Sequence, residues 1–337
     1  MKILVPITSP KDVEILDPLQ YNTEFFCGYL PQWWISKYNN IKGDTERLST
    51  PINNRNLQGA NVTSLDDLKK IVEIVQECET TLFLVLNAKY YPEYMYGSIA
   101  TYLDEVISVG ITRMIVADLG MINYLSKNYP QVKVSVSCLN QITNAKSVEF
   151  YKKFSNVNRI VFPRHMSTKE IKNIATANSE LEFEYFIFSN KCLYDDGYCR
   201  GIHEFTPICK DLFYSDFYLR DGKIIDSKMH ERLRRAEYEY SNWTRSELSY
   251  AGVDFCTPNF ACTACSLVKL KKVSNISSVK MSIRGHDISE RLRQVQMANE
   301  VITRVRNGAS LEEVKKTISK LYGKESLCDD GMSCMMI

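Results

Sequence analysis

Short apolar runs rich in Val, Ile and Phe recur along the chain, each bounded by turn formers. They fall at residues 2–6, 24–29, 81–88, 113–118, 132–136, 159–163, 182–188 and 277–283. Runs of this length without strict alternation predict strands buried on both faces of a parallel sheet. Most of the gaps carry helical period. Residues 64–77 open with Ser64 as N-cap and acidic residues in the first turn. Ser167 and Glu170 form a capping-box pattern, Gly110 is a helix stop, and residues 285–308 are the longest amphipathic helix.

Eight strands, each followed by a helix or by an insertion containing one, predict a TIM-like (β/α)8 barrel, an α/β fold. The rival is an open doubly wound sheet, which needs a reversal of strand order that the sequence does not display. Neither G-x-G-x-x-G after the first strand nor G-x-x-x-x-G-K-[ST] occurs, which argues against nucleotide binding. In a barrel, function sits at the carboxyl ends of the strands. Gly28, Asn87, Asp118, Cys138, Arg164, His165, Asn190, Cys192 and Arg284 fall there. Two long irregular pieces leave the same face, residues 30–62 and a cysteine-rich insertion at about 190–265. The insertion is expected to hold a hairpin turning at Asp221–Gly222 and a polar helix around 227–240. Residues 1–306 are expected to form the barrel with this insertion, and 307–337 a C-terminal helix and a mobile tail.

Composition adds limits. Of 337 residues 45% are hydrophobic and 24% charged, the balance of a globular protein with a large core. A net charge of +2 gives no broad basic field, so nucleic acid is neither indicated nor excluded. No run suggests a membrane span or a signal peptide, and a cytoplasmic location is expected. In a reducing compartment the eleven cysteines do not predict a disulfide framework.

Six of those cysteines flank the insertion: Cys192, Cys199, Cys209, Cys256, Cys262 and Cys265. Three uses compete. Scattered core thiols sit poorly with the surrounding Gly, Asp and Pro. Structural zinc favours C-x2–4-C pairs, and only Cys262/Cys265 has that spacing. An iron–sulfur cluster accommodates the irregular spacing best, since its four thiolates can come from different loops.

Residues 132–174 and 183–201, with "RNLQGANVTSLDDLKKIV" (55–72), "IVADLGMINYL" (115–125) and "VKMSIRG" (279–285), resemble peptidase family U32, the collagenase-like peptidases. The resemblance covers roughly residues 1–300. It implies a TIM-like barrel with a 4Fe–4S cluster. It also implies, for one branch, oxygen-independent hydroxylation with prephenate as oxygen donor, on products that include ubiquinone precursors and modified RNA bases. Carried over by position, Cys192, Cys199 and Cys209 are the first three ligands. Cys265 is the first choice for the fourth, ahead of Cys262 and Cys256. Where the family has Lys-Ile-Glu-Gly-Arg, this chain has Lys280, Met281, Ser282, Ile283 and Arg284, so both cations stay while the glutamate and glycine are lost. His165 stands where a glutamate is frequent. Arg164, Lys280 and Arg284, with Asp118 nearby, are the candidate residues for a small carboxylate ligand, because an arginine fork matches carboxylate geometry. Rim ion pairs are the competing use of these cations. Trp33, Trp34, Tyr29 and Tyr38 form either an aromatic wall for a planar substrate or the lid's own core. G-x-S-x-G and H-E-x-x-H are both missing, which leaves proteolysis without its usual machinery. The leading expectation is therefore a cluster-dependent hydroxylase or transferase. A non-catalytic cluster protein, paired with a second family subunit as a heterodimer, is the alternative.

Overall fold

A computed structural model describes residues 1–38, 52–55, 58–190, 196–198, 226–236, 239, 260–328 and 334–335. The first half alternates β1 (Lys2–Pro6), α1 (Pro10–Ile15), α2 (Pro18–Tyr21), β2 (Thr23–Cys27), α3 (Gln32–Tyr38), α4 (Leu65–Glu77), β3 (Leu82–Leu86), α5 (Tyr96–Ser108), β4 (Arg113–Val116) and α6 (Leu119–Asn128). The second half continues with β5 (Lys133–Val136), α7 (Ala145–Tyr151), β6 (Val157–Val161), α8 (Thr168–Ala177), β7 (Glu182–Asn190), β8 (Phe260–Cys262), α9 (Ser266–Leu270), β9 (Ile276–Met281), α10 (Ile288–Arg306) and α11 (Leu311–Tyr322). Strands β1 to β7 pair in sequence order and in parallel, and β9 closes the ring between β7 and β1. The result is an eight-stranded parallel barrel, so the open sheet is excluded.

The local signals act where the sequence puts them. Ser64 caps α4, and Ser167 and Glu170 form a capping box on α8. Gly110, just past α5, takes φ +100°, which costs a glycine little. A mostly exposed helix occupies 227–236, within the polar run expected to be helical. The hairpin expected at Asp221–Gly222 lies outside the described residues. No helix among those described is long and apolar enough to cross a membrane.

Two cores result from the strand period of two. Outward residues such as Ile3, Val5, Phe25, Leu84 and Val134 pack against the helices. Inward residues Leu4, Phe26, Phe83, Val85 and Ile115 form a separate cluster inside the ring. The rest of that interior is ionic. Arg159 of β6 donates to Glu24 of β2 at 2.8 Å, to Glu182 of β7 at 2.5 Å and to Ser278 of β9 at 3.2 Å, with Glu184 at 3.4 Å. Lys280 of β9 reaches Glu184 at 2.9 Å, and its Nζ lies 4.5 Å from the Phe26 ring centroid. Burial alone disfavours the Arg159 charge, but Glu24, Glu184 and Glu182 outweigh it and raise the pKa.

One strand was not foreseen. β8 runs antiparallel to the end of β7, with Phe188 opposite Cys262 and Asn190 opposite Phe260. Phe188 also pairs with Met281 on its other side, so β8 occupies the flank of β7 that β6 leaves. Of the tail expected to be mobile, residues 325–328 and 334–335 are described. Glu325–Cys328 forms a helical turn, and Cys334 pairs with Cys262 of β8. The period of the tail carries no such signal, because the partner it docks on is distant in sequence.

The interior network sets a stability test. Arg159→Met leaves Glu24 buried without its main counter-ion and Glu184 with Lys280 alone, a situation that costs about 3–5 kcal/mol. The urea midpoint should fall accordingly with an unchanged slope. A loss below about 1 kcal/mol would show that the network is dispensable.

Candidate functional site

The carboxyl end of the barrel is organised by two polar clusters. The first surrounds Arg284, just past β9. Residues 28–30 follow β2 and run beside Val62, with Val62 donating to Gly28 O and Leu30 to Val62 O, both at 2.8 Å. This return brings Asn53, Arg55 and Asn61 over the strand ends. Asn53 Nδ2 donates to Asn61 Oδ1 at 2.9 Å, and Asn61 Nδ2 donates to Arg55 O at 2.7 Å. The N–H of Asn54 donates to Asn87 Oδ1 past β3 at 3.0 Å. Such close approach requires a glycine. A Cβ on Gly28 would lie 1.9 Å from Asn61 Oδ1 and 2.8 Å from Asn53 Nδ2.

Arg284 is held at the centre of this cluster. Its Nη2 donates to Asn53 Oδ1 at 2.8 Å, while its carbonyl accepts from Arg55 Nη1 at 2.6 Å. The side chain is 4% exposed, Nη1 has no partner, and no carboxylate among the described residues pairs with it. Burial, then the charge of Arg55, lowers its pKa to about 9. The guanidinium is still charged at neutral pH, with an amide oxygen in place of a counter-ion. Beside it, burial pushes the Cys27 thiol up to about 12, against the pull of Arg284.

The second cluster lies at Arg164, just past β6, which β7 alone separates from β9 in the ring. Its guanidinium pairs with Asp196, its N–H donates to Asp196 Oδ2 at 3.0 Å, and its Cζ stands 4.4 Å from the Phe186 ring centroid. Asp196 and Gly197 lie between Cys192 and Cys199 in sequence. Gly197 N donates to Gln141 Oε1 at 2.8 Å, and its carbonyl accepts from Lys89 at 3.2 Å. This short part of the cysteine-rich insertion is therefore anchored on the barrel mouth.

The sequence-expected residues divide accordingly. Arg164 is engaged by Asp196 and Lys280 by Glu184, as the ion-pair alternative has it. Asp118 caps α6 by accepting from Met121 N at 2.6 Å, and burial raises its pKa against the pull of the Met121 and Gly120 N–H groups. Arg284 alone of the three cations lacks a carboxylate among the described residues. Tyr29, Trp34 and Tyr38 are buried against α5, with Tyr29 Oη and Trp33 Nε1 both donating to Glu105 at 2.6 and 2.9 Å. These rings are the lid's core and not a substrate wall. Cys138 sits at the mouth, but burial raises its pKa despite Arg164 and Lys280, so it is no ready thiolate. Cys192, Cys199, Cys209 and Cys256 lie outside the described residues. Cys262 and Cys265 are described, at the end of β8 and just before α9.

Sequence reasoning passed over Asn53, Asn61, Lys89 and Gln141. Gln141 carries a signal only in retrospect: φ +52° on a non-glycine residue marks a turn fixed by tertiary contacts. Arg55 and Asn61 lie in the stretch quoted for the family resemblance, yet nothing local shows that they reach Arg284.

The family model described as peptidase family U32 matches residues 49–329. A tRNA hydroxylation protein P1 of Bacillus subtilis (strain 168) is 26% identical over 136 residues, 40% of this chain and 32% of that protein. A collagenase of Porphyromonas gingivalis (strain ATCC BAA-308 / W83) is 26% identical over 121 residues, 36% of this chain and 28% of that protein. The chain thus spans about a third or less of each of these relatives. The solved structure of the U32 peptidase Mk0906 is 12% identical at a TM-score of 0.40, covering 56% of this chain and 68% of that one.

The uncompensated guanidinium predicts an unusual variant. Arg284 is charged in the folded and the unfolded chain until the pH rises past about 9, where the native state sheds the proton first. The desolvation cost is therefore present in full at neutral pH and is relieved only in alkali. Arg284→Met should raise stability at pH 7 by on the order of 1–4 kcal/mol. Thermal melts at pH 7 check this, and a clear loss of stability would mean that the arginine is a structural strut.

Proposed function

This chain belongs to peptidase family U32, and on that premise we propose that it is a 4Fe–4S enzyme of oxygen-independent hydroxylation or oxygen-group transfer, with Arg284 holding a small carboxylate. The observation that carries this reading is the buried, charged Arg284 at the barrel mouth with no counter-ion among the described residues. An anion there would restore the electrostatic balance and offset the cost of burial. The relative named for tRNA hydroxylation supports the reaction class.

The donor set suits a cluster. Cys192, Cys199 and Cys209 would hold it, with a fourth thiolate from Cys265, Cys262 or Cys256. β7 ends at Asn190, opposite Phe260 of β8, so the cysteine segment leaves and rejoins the barrel at one point of the rim. Asp196 and Gly197 tie part of it to Arg164 and Gln141. When bound, a 4Fe–4S cluster supplies one-electron transfer.

The chain's own residues have separable tasks. Arg284 and Asn53 would present donors to the ligand carboxylate, and Arg55 would add positive potential without being neutralised by it. Prephenate, the donor implied by the family resemblance, is one such carboxylate. Arg164 acts through Asp196, positioning the insertion. The segment at 52–62 would keep water from the ligand, which strengthens every charge interaction beneath it. Peptidase chemistry is the weaker reading, because desolvation raises the pKa of the half-buried Cys138 thiol against the pull of Arg164 and Lys280. The specific observation in favour of a non-catalytic partner subunit is Ser282 and Ile283 in place of the motif's glutamate and glycine.

Anaerobically purified protein should be brown and hold about four iron and four sulfide per chain. Cys192→Ala, Cys199→Ala or Cys209→Ala should bleach it, and Cys78→Ala should not. Prephenate should raise the melting temperature of the wild type and leave that of Arg284→Met unchanged. Mass measurement of candidate acceptors after incubation then separates an enzyme from a partner subunit. Stoichiometric zinc without sulfide would defeat the cluster, and an equal prephenate shift in both proteins would defeat the role of Arg284.

A further inference from the structure

Away from the mouth, one part of the outer wall carries charge of a single sign. α9 packs against α8 and α10, and α11 packs against α10. Lys169 and Lys172 of α8, Lys269 of α9, Lys271 and Lys272 just past it and Lys320 of α11 are all exposed. None of them pairs with a carboxylate among the described residues. The carboxylates on these three helices are already engaged, since Glu170 accepts from Ser167, Glu313 accepts from Ser310 and Glu312 lies 3.7 Å from Lys315. Residues 255–286 contain no Asp or Glu at all. Elsewhere on the surface Lys69, Lys146 and Lys152 each have a carboxylate partner. The unpaired lysines gather around the edge between β8 and α9. Lys269 follows Cys265 by four residues, one helical turn, and so stands on its face. Lys315 is within electrostatic reach of Cys265, and the Tyr322 ring stacks on Phe260 at 4.4 Å, which sets the end of α11 beside β8. Cys262 and Cys265 are half-buried, so this edge reaches the surface.

We propose that the lysine surface of α8, α9 and α11 docks a small acidic electron-carrier protein, which delivers its electron at the β8–α9 edge. The inference rests on the cluster reading above, with Cys265 as the fourth thiolate. The reduced carrier gives up one electron and is oxidised, the cluster is reduced by that electron, and no atom or bond is exchanged. Electron-transfer encounters are small and transient, and they depend on charge complementarity to bring the partners together quickly. Unpaired, exposed ammonium groups meet that need, because each is free to face a carboxylate of the partner. The three helices carry no arginine, so the bidentate fork that grips phosphate is missing from them. Their aromatic ring, Tyr322, is already stacked on Phe260, which leaves no platform for unpaired nucleic-acid bases. Both features favour an acidic protein over a nucleic acid on this face.

The probe is an acidic plant-type ferredoxin, titrated onto anaerobically purified full-length protein at low and at raised ionic strength. The wild type should bind it, and salt should weaken the binding. Lys269→Glu/Lys272→Glu should weaken binding at low salt by about tenfold or more. Lys169→Glu/Lys172→Glu should do the same from a second helix. Lys11→Glu/Lys127→Glu, an equal change of net charge on α1 and α6, should bind as the wild type does. Circular dichroism melts verify that the variants are folded, which the exposure of the substituted side chains favours. Stopped-flow oxidation of the reduced ferredoxin should slow in the first two variants and not in the third. Wild type that does not bind ferredoxin overturns the proposal, as do undiminished binding by both lysine-surface variants and binding to cluster-loaded protein without oxidation of the ferredoxin. A duplex RNA that binds through these lysines where ferredoxin does not also overturns it. Failure of the cluster reading shows separately, as wild type without iron or sulfide, while the titration still reads the lysine surface.

Discussion

A single guanidinium inside the barrel ties opposite walls together. Arg159 of β6 bonds Glu24 of β2, Glu182 of β7 and Ser278 of β9, with Glu184 of β7 also in reach. An ionic interior tolerates little displacement, since a buried charge separated from its partner is costly while a shifted methyl group is not. Closure of the ring and placement of its mouth both follow from this. β7 carries two of the acidic residues, so the strand that leads into the cysteine segment is fixed at its base by the centre of the fold. β9, which leads to Arg284, is fixed through Ser278 and Lys280.

The two cation clusters at the mouth contrast with that interior. Arg159 has more carboxylate than it needs, and Arg284 has none among the described residues. Arg164 lies between these extremes, matched by one carboxylate from the insertion. The same residue type thus serves as a strut, a fastener for a loop and a waiting charge. Only the distribution of acidic side chains around each guanidinium separates the three.

Much of the barrel was legible from sequence because buried parallel strands announce themselves as apolar β-branched runs. All eight candidate runs became barrel strands. β8 was not legible, since three residues, Phe260–Cys262, form a strand only by borrowing the exposed end of β7. The interior ions were hidden too. Glu182 and Glu184 look like a polar face in the run 182–188, and the true signal was charge at every second position of a strand otherwise read as wholly buried. At the mouth, position past a strand end identified Arg164 and Arg284 correctly as rim residues. Which of them is neutralised depends on Asp196, more than thirty residues from Arg164 in sequence, and no local pattern encodes that. The bridge of Cys334 to Cys262 was not legible either, because its partner lies far upstream.

The antiparallel pairing of Asn190 with Phe260 also bears on how such a fold can change. It joins the two ends of the inserted chain into a stem, so the entropy of bringing those ends together is met by the scaffold whatever lies between them. Lengthening, shortening or exchanging the inserted segment then leaves the strand register of the ring untouched. A lineage could acquire new substrates by grafting at that stem while the ionic heart of the barrel stays constant.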